Sequence, residues 1–401
     1  MKPDTPLIKR PHLHDIRTQN RSRILQVLRE RDLVSRQELA EILDLTPASL
    51  SRISRELIAQ GICVDAPISR DGSQRGRPSV ALKINAMGGF LVAISISSFS
   101  RLISIVDISG QQHHQQEIPK SVISSAPETV AFIGDFVDKL VAKRLLDRSL
   151  IIGASLTLPG SINVKSGFLT KSILLHWPNF PIKERLIERL QCPTRIENNG
   201  DALCRHFLDV HPCNEQHSSN VFLAHVSEGM GASIAIGDRI VRRLADEGWI
   251  NDISVPSNPA DKQSKRKLSL LASGRAILTN LLDANIPTQK GETEFSAKLE
   301  AAVTMANKTS EETRDVFFEA GQALGANLVA LTIAIAPDAI VLAGPVLKAQ
   351  AYAEGVRTSY EKVAEEMDIQ PSRIVVSDAS YIEASENLAL HDFFFSGGYV
   401  T

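Results

Sequence analysis

Residues Ser35 to Gly61, SRQELAEILDLTPASLSRISRELIAQG, leave room for little besides two short helices meeting at a sharp turn. Ser35 with Glu38 three residues later is a capping box, and Leu39, Ile42 and Leu43 form an apolar stripe at helical spacing. Asp44-Leu45 breaks that helix. Thr46 then caps a second one, with Pro47 at the first position, where a missing N–H costs nothing. The second helix buries Leu50, Ile53 and Leu57, turns Ser49, Ser51, Arg52 and Arg55 outward, and stops at Gly61. A tight turn followed by a helix with a Ser/Arg face reads as a helix-turn-helix; the alternative is an ordinary helical hairpin in a core.

The flanks extend the motif into a winged one. Asn20 to Arg31 predicts a third helix, with Ile24, Leu25 and Leu28 inward and Arg21, Arg23 and Arg29 outward. A strand at Ile62–Asp65 and another at Val80–Ile84 bracket the loop APISRDGSQRGRP, which carries Arg70, Arg75 and Arg77 beside Gly72 and Gly76. Residues 1–84 hold 15 Lys/Arg against 10 Asp/Glu, whereas the whole chain has a net charge of −2. The positive excess therefore sits where a nucleic-acid reader needs it, to neutralise phosphates.

At 401 residues the chain is too long for one core, and two or three domains are expected. No uninterrupted apolar run looks long enough to span a bilayer, the first fifteen residues lack a signal-peptide core, and four cysteines build no disulfide framework. A reducing cytoplasm is the expected location. Residues 1–19 read as a flexible arm, 20–85 as the DNA-binding domain, and 85–90 (NAMGGF) as a small-residue linker. Beyond it strands alternate with helices: strands Phe90–Ile96, Leu102–Val106, around Gln115–Ile118, and Leu150–Leu156, with a helix over Ala126–Arg144. A second series has strands Val221–Val226 and Ala232–Ile236, a helix Glu311–Ile335, a strand Ala339–Ala343 and a closing helix from Ile382 to Phe395.

With LTLPGSINVKSGFL, IENN (196–199), VSEGMGASIAIGDRIVRR, LLASGRAI and ANLVALTIAIAPDAIVLAGPVL following the winged helix in this order, the chain resembles the ROK family of sugar kinases and sugar-responsive repressors. It is similar to the repressor branch, since the kinases lack a winged helix. The resemblance implies a two-lobed, actin-like (ribonuclease H-like) sugar-kinase fold behind an N-terminal winged helix-turn-helix. The first lobe would span 86–199, completed by 380–401, and the second 200–379.

Departures from that family pattern are informative. The resemblance implies an Asp-x-Gly-Gly-Thr phosphate loop, where this chain has Ser95-Ile96-Ser97-Ser98-Phe99. It implies an Asn-Asp pair holding the catalytic base, where this chain has Asn198-Asn199, and a carboxamide cannot take the proton. Gly229 and Gly231 are left as a possible second phosphate turn, a weak signal by itself. The family's zinc run should fall near 260–267, but ADKQSKRK offers no ligand, so a solvated loop is expected there. In CRHFLDVHPC, Cys204, His206, His211 and Cys213 read as helix residues on different faces and not as a metal site. No catalytic residue, metal or cofactor is expected.

The resemblance places a small carbohydrate between the lobes, against Pro159, Gly160, Asn198, Asn199 and Asp252. The DNA-contacting set is Ser35, Thr46, Ser49, Ser51, Arg52, Arg55 and the wing residues Arg75, Gly76 and Arg77. The expected partners are a palindromic double-stranded operator, a carbohydrate effector and further copies of the chain as a homodimer or tetramer, with no membrane. The expected function is a transcriptional regulator of carbohydrate-utilisation genes, acting as a repressor. The alternatives are a sugar kinase or sugar-binding protein with an accessory N-terminal module, and a regulator whose DNA heads answer to a protein partner.

Overall fold

The computed structural model describes residues 13–67, 80–163, 166–172, 174–177, 180–211, 220–241, 250, 253–258, 261–281 and 295–396. The head opens with α1 (Leu13–Arg31), β1 (Leu33–Ser35), α2 (Arg36–Leu43) and α3 (Pro47–Ala59), and closes with β2 (Cys63–Pro67) and β3 (Val80–Ile84). β3 lies between β1 and β2, antiparallel to both. Helix α1 begins at Leu13, so the arm expected over 1–19 is helical in its last third. Arg17 on that added stretch forms an ion pair with Glu56 of α3. Of the stripe on α2, Leu39 and Leu43 are buried but Ile42 is 38% exposed, because the αL residue Asp44 ends the helix and turns α3 away from that side.

The first lobe follows with β4 (Phe90–Ile96), β5 (Arg101–Asp107), β6 (Gln112–Glu117), α4 (Lys120–Ile123), α5 (Ala126–Ala142), β7 (Ile151–Leu158), β8 (Ser161–Asn163), β9 (Phe168–Lys171), α6 (Ile182–Leu190) and β10 (Thr194–Asn198). Its sheet runs β10-β7-β4-β5-β6, with β10, β7 and β4 parallel. All seven side chains of β4 are buried, as a strand covered on both faces requires.

The second lobe comprises α7 (Asn199–Val210), β11 (Val221–Val226), β12 (Met230–Ile236), β13 (Arg239–Ile240), β14 (Ser254–Asn258), β15 (Asp261–Lys267), α8 (Ser269–Ala272), α9 (Gly274–Asn280), α10 (Phe295–Lys308), α11 (Glu311–Ile335), β16 (Ala339–Ala343), α12 (Gln350–Glu366) and β17 (Arg373–Ser377). Its sheet runs β13-β12-β11-β16-β17, with β11, β16 and β17 parallel. Helix α11 has the length and apolar composition of a membrane-crossing helix, but Glu319, Gln322, Asn327 and Thr332 interrupt its apolar run. Here it is packed on α12, and a Cβ on Gly321, Gly325 or Gly355 would stand 2.1–2.2 Å from a carbonyl oxygen of the facing helix.

The stretch expected as a solvated loop at 260–267 is instead strand β15, paired antiparallel with β14. Its sequence, DKQSKRK, is polar throughout, so a backbone ladder organises it where no apolar period could announce it. Among the described residues no group of His, Cys, Asp and Glu is placed to hold a metal ion.

Helix α13 (Tyr381–Leu390) and a π-helical turn (His391–Phe395) return to the middle. α13 packs on β4 and β7 of the first lobe and on α7 of the second. Ala389, Leu390, Phe394 and Phe395 join Leu91, Val106 and Ile108 in one core with Ile24, Leu25, Leu28, Leu50 and Leu57 of the head. The expected linker is therefore a clamp. Asn85 donates from Nδ2 to Gly61 O (2.7 Å) and from its backbone N–H to Ile62 O (2.8 Å), and a Cβ on Gly88 would stand 2.2 Å from Gly61 O.

Candidate DNA-binding face and inter-lobe cleft

Helix α3 buries Leu50, Ile53, Ser54 and Leu57, which leaves Ser51, Arg52 and Arg55 on its exposed side. Thr46 Oγ1 accepts the Ser49 backbone N–H at 3.3 Å and donates to Ser49 Oγ at 3.0 Å, so these two residues build the helix start. Ser35 does the same for α2: its Oγ accepts from the Glu38 backbone N–H at 3.1 Å, while Glu38 Oε2 accepts from the Ser35 N–H. Three of the residues expected at DNA thus have a capping role, and the outward chemistry falls to Ser51, Arg52 and Arg55. Arg55 Nε donates to Ser51 O at 3.2 Å, which lays that side chain along the helix. Arg75, Gly76 and Arg77 lie outside the described residues.

The cleft is defined by strand polarity. The carboxyl ends of β4, β7 and β10 lead into Ser97–Ser100, Pro159-Gly160 and Asn199, and those of β11 and β16 into Ser227–Gly229 and Gly344. Ligands of α/β sheets bind at this edge, where side chains and helix starts converge. Asn198 caps α7 through Oδ1, which accepts from Gly200 N at 2.7 Å, and its Nδ2 donates to Gly160 O. Gly160 has φ +124°, and a Cβ there would stand 2.1 Å from Lys171 O, so only glycine makes this turn. Asn199 is 3% exposed and donates from Nδ2 to Ile96 O at 3.1 Å. Its Oδ1 is buried without a hydrogen-bond partner among the described residues. Four of the five expected ligand residues are therefore together, with Asn198 committed to the scaffold and Asn199 offering an unsatisfied acceptor. Asp252 lies outside the described residues.

The Ser227–Gly229 turn carries a carboxylate that sequence reasoning overlooked. Ser227 N donates to Gly229 O at 2.9 Å, and Gly274 and Arg275 at the start of α9 donate to the Ser227 and Glu228 carbonyls. Glu228 Oε2 accepts from Ser98 Oγ at 2.7 Å, and Oε1 pairs with Arg275. A hydrogen bond thus joins the two lobes at this edge of the cleft, and it places a carboxylate on the Ser227–Gly229 turn. Phe99, next to Ser98, crosses to the second lobe and meets Phe295 edge-on, with centroids 6.0 Å apart. Behind the turn, His225 Nε2 lies 2.8 Å from Tyr381 OH, and burial pushes the imidazole down to about 4. Cys204 is buried on α7 and its thiol is raised to about 12 by desolvation, the behaviour of a core side chain.

Comparison with known proteins agrees with this geometry. The chain is similar to a xylose repressor of Caldicellulosiruptor bescii, 23% identical over 228 residues, a match that spans only 56% of either chain. It is 21% identical over 399 residues to a putative xylose repressor of Caldicellulosiruptor sp., covering 93% of this chain and 97% of that one. Among solved structures, a ROK family transcriptional regulator homologous to the E. coli MLC protein superposes with a TM-score of 0.74 at 20% identity, covering 95% of this chain and 97% of that one. A ROK family glucokinase from Streptomyces griseus, solved with glucose and AMPPNP, matches 76% of this chain and 100% of its own with a TM-score of 0.59 at 17% identity. With residues 92–384 matching the family's own pattern, the chain belongs to the ROK family.

Proposed function

We propose that the chain is a DNA-binding transcriptional regulator, a repressor of carbohydrate-utilisation genes relieved by a small sugar. The observation that carries this reading is the continuous core joining an Arg-bearing recognition helix to a sugar-kinase fold whose Ser227–Gly229 turn holds Glu228. Ser51, Arg52 and Arg55 face the major groove, and the wing residues Arg75, Gly76 and Arg77 reach the adjacent minor groove. One head buries too little surface for selective binding, so two copies bind a palindromic operator. The molecule works in the cytoplasm, where its DNA is.

In the cleft, Asn199 Oδ1 accepts a sugar hydroxyl, beside the Pro159-Gly160 turn and with Asp252 as the acidic partner. Nothing at position 199 takes a proton, so the sugar is bound and released unchanged. The xylose repressors among the relatives support a pentose as the first ligand to try.

The experiment selects operator from random duplexes with the full chain, then titrates D-xylose and a panel of hexoses and amino sugars against the complex. Selective release by one sugar, with a matching thermal shift of the free protein, is the expected result. Failure to enrich any duplex, or sugar-dependent consumption of ATP, overturns the reading.

A further inference from the structure

Head and body meet at a buried amide. Arg29, in the last turn of α1, donates from Nη2 to Asn387 Oδ1 at 3.0 Å, and Asn387 Nδ2 donates to Asp209 Oδ2 at 2.6 Å. Asn387 on α13 is 3% exposed, so its amide orientation is fixed: the oxygen must face the cation and the nitrogen the carboxylate. Arg29 as a residue stays exposed, yet its guanidinium also lies 4.9 Å from the centroid of the Phe395 ring. Asp209 stands in the last turn of α7 and faces His391 Nδ1 at 3.2 Å and Arg205 Nη1 at 3.7 Å.

The first residue of that same helix is Asn199, in the cleft. Roughly ten residues of α-helix separate Asn199 from Asp209, or about 15 Å. One rigid rod thus starts at the unsatisfied acceptor of the cleft and ends on the carboxylate that holds the head through Asn387.

We propose that Asp209, Asn387 and Arg29 are positioning residues that transmit the state of the cleft to the DNA-binding head, with α7 as the lever. The proposal rests on reading the cleft as an effector site. A ligand that engages Asn199 shifts α7, Asp209 moves with it, and the matched amide re-aims α1 and, through the core they share, the recognition helix. The apolar contacts of Phe394 and Phe395 tolerate sliding, whereas the amide has one orientation and one partner on each side.

The test uses the full chain and hydrogen–deuterium exchange over residues 13–31, with Asn199→Ala as the perturbation at the cleft end. Asn199→Ala is expected to change α1 exchange about fivefold or more, and this response is expected to vanish in an Asn387→Leu or Arg29→Met background. Arg29→Lys, which keeps a charged donor, is expected to restore it, a rescue that loss of packing alone would not give. A response of equal size with and without the relay, or no response in either, overturns the proposal. Should Asn387→Leu fail to fold, Arg29→Met at its exposed position completes the same cycle. D-Xylose release of the operator complex, measured in parallel, tests the effector reading separately: an intact exchange cycle supports the relay even where that sugar has no effect.

Discussion

Ser98 Oγ and Glu228 Oε2 lie 2.7 Å apart although 130 positions separate them in the chain, and this bond links the first lobe to the second at the mouth of the cleft. The carboxylate is 20% exposed and is also paired with Arg275, which is 60% exposed. Glu228→Ala removes both contacts at once. It is expected to lower stability by about 1–2 kcal/mol, discounted for the exposed arginine, and to raise amide exchange in residues 97–100. A denaturant midpoint unchanged from wild type would show that the link is incidental.

Arg52→Ala and Arg55→Ala test the recognition helix. Each removes one cation from the exposed face of α3 without touching its core. Each is expected to weaken operator binding and to reduce the slope of log K against log salt by about one, while Lys143→Ala, at the exposed end of α5 in the first lobe, leaves both unchanged. Fluorescence anisotropy across a salt series reads the two quantities together.

Asn199→Asp places a carboxylate against Ile96 O, where an amide now donates at 3.1 Å. Two acceptors then face each other in a buried site. A stability loss of about 1–3 kcal/mol is expected, with no gain of sugar phosphorylation, because Glu228 still presents a carboxylate at the cleft. ATP turnover by this variant would contradict the account of the cleft.

His225 predicts an acid-sensitive fold. Its folded pKa is about 4 against roughly 6.5 for a free imidazole, so the unfolded chain takes up the proton first. Stability from this group is therefore complete above about pH 6.5 and is lost as the pH falls toward 4. The residue as a whole is half-buried, which limits the loss to about 1–3 kcal/mol. His225→Gln keeps a polar partner for Tyr381 and is expected to flatten the dependence of the urea midpoint over that interval.

The α11–α12 crossing predicts steep intolerance of a single methyl. A Cβ at position 325 would stand 2.2 Å from Val356 O, a backbone atom that cannot rotate away. Gly325→Ala is expected to cost about 1–3 kcal/mol, despite the better helix propensity of alanine, as a lower melting temperature will show.

Much of this architecture was legible because its elements are long, apolar and cleanly bounded. Phe90–Ile96, Val221–Val226, Glu311–Ile335 and Ala339–Ala343 lie where periodicity placed them. The capping residues Ser35 and Thr46 were also readable, since the partners of a cap lie three residues away. Three-residue β1 escaped because Leu33–Ser35 is too short to show a period, and β15 because its side chains are all polar. Of the candidate site, Pro159, Gly160, Asn198 and Asn199 were recognised by family pattern and do converge, but no pattern in the sequence marks which asparagine is committed to the scaffold. Glu228 and Asn387 were missed for a common reason: their partners Ser98 and Arg29 are brought to them only by the closed fold.

The shared core of head and C-terminal helix sets an order of events during synthesis. Arg29 and Asn387 stand 358 positions apart, and the head closes over Ala389, Leu390, Phe394 and Phe395. At about 5–20 residues per second, helix α1 leaves the ribosome roughly 20–70 s before the side chains of α13 and the π-helical turn that it packs on. A chain still being translated therefore carries α1 without that support. A chain truncated before Ala389 is likewise expected to bind duplex DNA more weakly than the full chain, although its head sequence is unchanged.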